Sequence, residues 1–119
     1  MQRNVRSSFA HEHTHPNSIV SGVFYFRNDK HAGISFNKNM LDRIMLPRIK
    51  NHRLNSDSWH FEPESGELIL FPSATRHSVP PNVKEESRYS LAFNSFCFDE
   101  LGVKSLSTHL NIKESDGPR

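Results

Sequence analysis

The sequence predicts an all-β barrel or sandwich, and a small jelly roll fits it best. Three observations lead there. Short β-branched and aromatic runs recur at 19–26, 33–37, 59–63, 68–71 and 88–98. Pro, Gly and Asn turns separate them, and almost no stretch carries a helical apolar period. The segment 88–98 alternates cleanly, with Tyr89, Leu91 and Phe93 on a greasy side and Arg88, Ser90, Ala92 and Asn94 on a side that carries chemistry.

The chain opens with a polar, basic stretch, 1–8, and then a histidine segment with no capping motif or apolar period before it. Residues 19–26 read as a buried strand ended by a turn at 27–30, and 33–37 as a second short strand. From 38 to 60 the pattern weakens. Met40, Leu41, Ile44, Met45 and Leu46 suit a helical turn or a strand edge, and Pro47 interrupts either, so this is an irregular excursion. A strand at 59–63 ends at proline, 64–67 has turn composition, and 68–71 is a fully buried strand stopped by Pro72. The loop 80–87 then leads into the alternating segment. Phe24, Phe26, Phe36, Phe71 and Phe93 are assigned to the core, and Gly22 and Gly66 to turns or close packing.

A length of 119 residues suits one domain, placed at 1–110, with a polar, Gly- and Pro-containing tail at 111–119 that is expected to be disordered. Apolar content is 34% and mean hydropathy −0.66, both low, but nine Phe supply large areas to bury. The net charge of +2 comes from 15 basic and 13 acidic residues without a block of one sign, so nucleic acid is not indicated. The single Cys97 excludes an intramolecular disulfide framework. No apolar run approaches a membrane span and no signal-peptide core is present, so the expected location is cytoplasmic.

The chemistry concentrates in two places. In an extended strand, side chains two apart point the same way, so His11, His13 and His15 would share a face and close on one metal ion, with His77 as the distant ligand. Glu12 would point to the opposite face unless the chain bulges there. His11 is placed at the strand entrance, in solvent or supporting a ligand, with the alternative that it replaces His15 beside His13. Three imidazoles leave a site more positive than two His and a carboxylate, which weakens Fe(II) binding. Arg88 and Ser90, on one strand face, are a natural carboxylate receptor, because Arg donates two parallel charge-assisted bonds and Ser a third. Tyr25 could add its phenol, or be a core tyrosine. His31, His52, His60 and His109 lack a partner pattern and read as surface or structural residues.

Five blocks in order resemble the 2-oxoglutarate and Fe(II)-dependent oxygenases, within them a group met in phage and marine bacteria. They are His13-Thr14-His15-Pro16-Asn17-Ser18; Ser21-Gly22-Val23-Phe24-Tyr25; Ser65-Gly66-Glu67-Leu68-Ile69-Leu70-Phe71-Pro72-Ser73; His77-Ser78-Val79-Pro80-Pro81-Asn82; and Arg88-Tyr89-Ser90-Leu91-Ala92-Phe93-Asn94. The resemblance covers roughly 9–95. It implies a double-stranded β-helix, a cupin-like barrel, with Fe(II) at its mouth on His13, His15 and His77. It also implies 2-oxoglutarate on the metal, its far carboxylate on Arg88 and Ser90, and Tyr25 touching it. The activity implied is hydroxylation of an unidentified substrate, coupled to conversion of 2-oxoglutarate to succinate and carbon dioxide. Two features depart from the pattern: His15 stands where an aspartate is usual, and the N-terminal helices that buttress the main sheet have no counterpart. A minimal version of the barrel, or part of a longer protein, is therefore expected.

Two other functions fit the same residues. One is a non-catalytic metal- and carboxylate-binding module. The other is a cupin-like three-His dioxygenase that does not use 2-oxoglutarate, where Arg88 binds the substrate's own carboxylate. Substrate choice is expected in loops, with 38–59 as the candidate lid. A homodimer covering exposed edges or apolar surface is also expected.

Overall fold

The computed structural model describes residues 2–27, 33–38, 49–50, 52–83 and 86–113. The expected turn at 28–30, His31, the apolar residues from Met40 to Pro47, Lys84 and Glu85 of the 80–87 loop, and the tail from 114 onward lie outside the described residues.

Eight strands form two four-stranded antiparallel sheets: β1 (Gln2–Asn4), β2 (Ala10–His13), β3 (Val20–Arg27), β4 (Ile34–Asn37), β5 (Ser58–Phe61), β6 (Leu68–Pro72), β7 (Arg76–Val79) and β8 (Arg88–Asn94). One sheet has the order β1-β8-β3-β6 and the other β2-β7-β4-β5. Strand β1 pairs with β8, β2 with β7, β3 with β6 and β4 with β5. This is the pairing of one long hairpin rolled up on itself, which is the double-stranded β-helix, or jelly roll. Two further short strands, β9 (Asp99–Leu101) and β10 (Leu110–Ile112), form a separate two-stranded sheet.

The local chemistry explains the elements. Val-Ser-Gly-Val-Phe-Tyr-Phe-Arg makes β3 from β-branched and aromatic residues. Strand β6 is an edge, so the N–H that Pro72 lacks is not missed. Gly66, at φ +90°, makes the left-handed step of the turn between β5 and β6. Gly22 has another role. A Cβ there would strike Phe93 and Leu70, so its bare backbone lets those two side chains close over the strand.

Among the described residues the hydrophobic core is small. Ile34, Phe36 and Phe71 are buried between the sheets, with Val23, Ile69 and Val79 packed against them. Phe36 and Phe71 meet edge to face at 4.9 Å.

Several expectations are corrected. Strand β8 stops at Asn94 rather than Phe98. Its faces are inverted relative to core assignment by hydrophobicity: Arg88 and Ser90 are buried while Leu91 and Phe93 are exposed. Because alternation sends Arg88 and Ser90 into the barrel, the greasy side must point out. Phe26 is likewise exposed and Phe24 only half-buried, so of the five phenylalanines assigned to the core only Phe36 and Phe71 are in it. Asn111 and Ile112, counted with the tail, are strand residues of β10. In the excursion from 38 to 60, the described part includes a single 3-10 turn, Arg53–Asn55, capped by His52, whose Nδ1 accepts from Leu54 N–H at 3.2 Å. Among the described residues no helix is long and apolar enough to cross a membrane.

Candidate metal and carboxylate site

Strands β2 and β7 run antiparallel with His13 opposite His77. The register shifts between Ala10 and His13, a bulge that breaks the two-residue period. His11 therefore leaves the shared face expected for it and stacks edge to face on Phe9, ring centroids 4.7 Å apart. His15 lies beyond the end of β2, in a turn. Asn17 takes φ 65° there, a left-handed conformation that asparagine tolerates. The His15 N–H donates to the Ser73 carbonyl at 3.0 Å, which fixes this turn against the end of β6.

The three rings of His13, His15 and His77 converge. Centroids are 4.9 Å apart for His13–His15, 4.3 Å for His13–His77 and 5.0 Å for His15–His77. One ring nitrogen from each lies within 4.8 Å of the others, so the group could hold a metal ion. His13 Nδ1 is 2.7 Å from the His11 carbonyl and His77 Nδ1 is 2.9 Å from that of Thr75. A carbonyl only accepts, so both rings carry a proton on Nδ1, which makes Nε2 the nitrogen available to a metal. Burial, and the neighbouring His13, hold the His15 pKa below its ordinary value. Burial does the same for His77, opposed by the hydrogen bond to Thr75 and reinforced by the other two rings. Neutral imidazoles are the ligating form.

No carboxylate joins this cluster among the described residues. Glu12 is tied elsewhere, in an ion pair with Arg76 and a 3.0 Å hydrogen bond from Asn37 Nδ2.

The second half of the site comes from β3 and β8. Tyr25 lies opposite Ser90, and Arg88 is two residues along the same inner face. All three are buried, Arg88 to 5% exposure. Its Nε and Nη1 lie out of reach of solvent with no hydrogen-bond partner among the described residues. An orphaned buried guanidinium is costly, and burial lowers the Arg88 pKa, opposed by Tyr25. Burial raises the Tyr25 pKa, partly offset by Arg88, so its phenol stays protonated as a donor. His13, His15, His77, Tyr25, Arg88 and Ser90 all line one cavity of about 270 Å³.

Sequence reasoning missed a polar relay behind His15, buried at Ser21 and Ser73 and exposed at Asn94. Ser73 Oγ lies 2.7 Å from Ser18 Oγ and 2.8 Å from Ser21 Oγ, Ser21 Oγ lies 2.7 Å from Asn94 Oδ1, and Asn94 Nδ2 lies 3.5 Å from His15 Nδ1. The available signal was small polar residues where apolar ones are expected: Ser21 at the start of a strand, and Ser73 after a proline that ends one.

Two comparisons with known proteins complete the picture. The family model described as "Putative 2OG-Fe(II) oxygenase" matches residues 1–94. No curated protein matches the chain. The matched segment contains all eight barrel strands and both halves of the site. The chain belongs to this family of 2-oxoglutarate and Fe(II)-dependent oxygenases.

Proposed function

We propose that this protein is an active 2-oxoglutarate-dependent hydroxylase, with His13, His15 and His77 holding Fe(II), Arg88 and Ser90 binding the far carboxylate of 2-oxoglutarate, and Tyr25 donating its phenol to the same group. The observation that carries this reading is Arg88, a buried cation whose Nε and Nη1 lack a partner in the cavity that the histidines also line. Nothing but an anion offsets such a group fully, and a carboxylate accepts two parallel bonds from it. Iron, when bound, would supply dioxygen activation coupled to conversion of 2-oxoglutarate to succinate and carbon dioxide. The residues supply the rest: neutral imidazoles for the metal, donors for the diacid, and a pocket at the small end of ligand sites. In so small a space the second substrate presents only its reacting end, past the exposed His13.

The test is anaerobic titration of the Fe(II)-loaded protein with 2-oxoglutarate, following the weak visible band of the chelate in wild type and Arg88→Ala. A band that weakens in the variant is expected. Absence of the band with confirmed iron defeats the proposal.

The lack of a carboxylate donor among the described residues favours one second reading, a three-His dioxygenase in which Arg88 binds the carboxylate of the substrate itself. Oxygen uptake that is unchanged when 2-oxoglutarate is omitted decides for it. In either case we propose a homodimer, supported by the exposed outer face of the sheet, where Leu68, Leu70 and Phe93 stand in solvent.

A further inference from the structure

We infer that Asn94 is the positioning residue for His15, its carboxamide oxygen accepting the His15 Nδ1 proton while the hydroxyls of Ser21, Ser73 and Ser18 hold the carboxamide in that orientation. The inference rests on the three-histidine reading above and adds the group that makes His15 a ligand.

The argument starts from an inequality among the three rings. His13 and His77 each give their Nδ1 proton to a backbone carbonyl, so the fold itself sets their tautomer. Among the described residues His15 has no carbonyl at Nδ1. Its neighbour there is the side chain of Asn94, 3.5 Å away. With the amide nitrogen facing it, Nδ1 would have to be bare and the proton would sit on Nε2, so His15 could not offer Nε2 as the other two do. A half-turn of the carboxamide changes its shape hardly at all and places the oxygen at Nδ1 instead.

The surroundings accept that half-turn without loss. The amide nitrogen then donates to Ser21 Oγ, which is 2.7 Å from the carboxamide atom facing it. Ser21 donates to Ser73 at 2.8 Å, Ser73 to Ser18 at 2.7 Å, and Ser18 to the Val20 carbonyl at 3.4 Å. Each hydroxyl gives one proton and accepts one, and the chain ends on a carbonyl that can only accept. Ser21 and Ser73 are almost fully buried, at 1% and 0% exposure, so water does not compete for the bond between them, while the ends of the relay at Asn94 and Ser18 are more open. Ser73 acts on His15 twice, through this relay and through its carbonyl on the His15 N–H.

The test uses Co(II) in place of Fe(II), on the full chain, with affinity and proton spectroscopy as readouts that need no turnover. Wild type should show three exchangeable, hyperfine-shifted imidazole N–H resonances. Asn94→Ala should lose one of them to exchange with water and bind Co(II) about 10–100-fold more weakly, the usual effect of removing such a partner. Asn94→Asp, which can only accept, should keep the third resonance and the affinity. Three resonances and full affinity in Asn94→Ala would overturn the inference, and so would Asn94→Asp behaving like a lost ligand partner. Should Asn94→Ala fail to fold, Asn94→Asp decides alone. Failure of the underlying reading looks different: wild type itself would then give no shifted imidazole resonances.

Discussion

The two faces of the sheet built from β1, β8, β3 and β6 carry opposite chemistry, in the reverse of the usual sense. Inside the barrel lie Ser21, Tyr25, Arg88 and Ser90, all buried; outside, on the same strands and β6, lie Phe26, Leu68, Leu70, Leu91 and Phe93, all exposed. Among the described residues the apolar core lies in the part of the interior around Ile34, Phe36 and Phe71. Buried polar and charged side chains, the proposed diacid site, occupy space that a second apolar layer would otherwise fill. The inner face therefore costs stability, and the outer face leaves several large apolar side chains in solvent.

The largest effect is expected from stripping the inner site of its metal donors. His77→Ala should abolish detectable Fe(II) binding in equilibrium dialysis and, with it, succinate formation. Next comes making the inner face apolar. Arg88→Met should weaken 2-oxoglutarate binding by about 10- to 100-fold, as loss of charge-assisted bonds worth about 1.5–3 kcal/mol implies. The same variant should raise the melting temperature of the ligand-free protein, because it removes a buried unpaired charge. A lower melting temperature would show that Arg88 is satisfied without a ligand. On the outer face, Leu70→Lys combined with Phe93→Lys should dissociate the proposed dimer in light scattering while leaving 2-oxoglutarate affinity unchanged. A wild-type monomer at micromolar concentration would remove the reason for that face.

A smaller effect concerns pH. Burial depresses the pKa of both His15 and His77 from 6.5, so the folded state holds fewer protons than the unfolded state below that value. Stability of the metal-free protein should be full above pH 6.5 and fall as pH drops through the depressed values. His77→Gln should flatten that fall in a series of thermal melts. Smallest of all, Gly22→Ala should cost under about 1 kcal/mol, since the Phe93 and Leu70 tips it displaces can swing into solvent. A larger loss would mean that the outer face is packed rather than free.

Much of this was legible in the residues, and the failures share a cause. Strands β3, β6 and β8 announce themselves by β-branched and aromatic runs, and the histidine and Arg-x-Ser spacings stand out because few other residue types suit a metal or a carboxylate. What the sequence hides is direction. Alternation along β8 separates two sets of residues without saying which is inside, and hydrophobicity chooses the wrong one wherever a polar site is buried. The shared face expected for His11 from the two-residue period fails because a bulge changes the period by one residue and leaves no mark in composition, while its preferred place in solvent at the strand entrance fits. Strand β1, Gln-Arg-Asn, has no apolar pattern at all; it exists because the edge of β8 offers it hydrogen bonds. Asn94 was correctly placed on the chemical side of β8, but its partner His15 lies on a turn from the other end of the chain.

The rolled-hairpin winding also bears on how the protein comes to be. His13 and His77 face each other only after most of the barrel has been threaded between them. Contacts so distant along the chain make folding slow, since loop closure must precede any reward. A metal ion gripping both histidines would then act as a clasp on a very long loop, stabilising the finished barrel over every partly wound form. Synthesis of the chain in iron-poor conditions should accordingly leave more of it unfinished, with Leu70 and Phe93 open to aggregation; in an iron-replete cell the same cofactor that serves chemistry would serve as a folding aid.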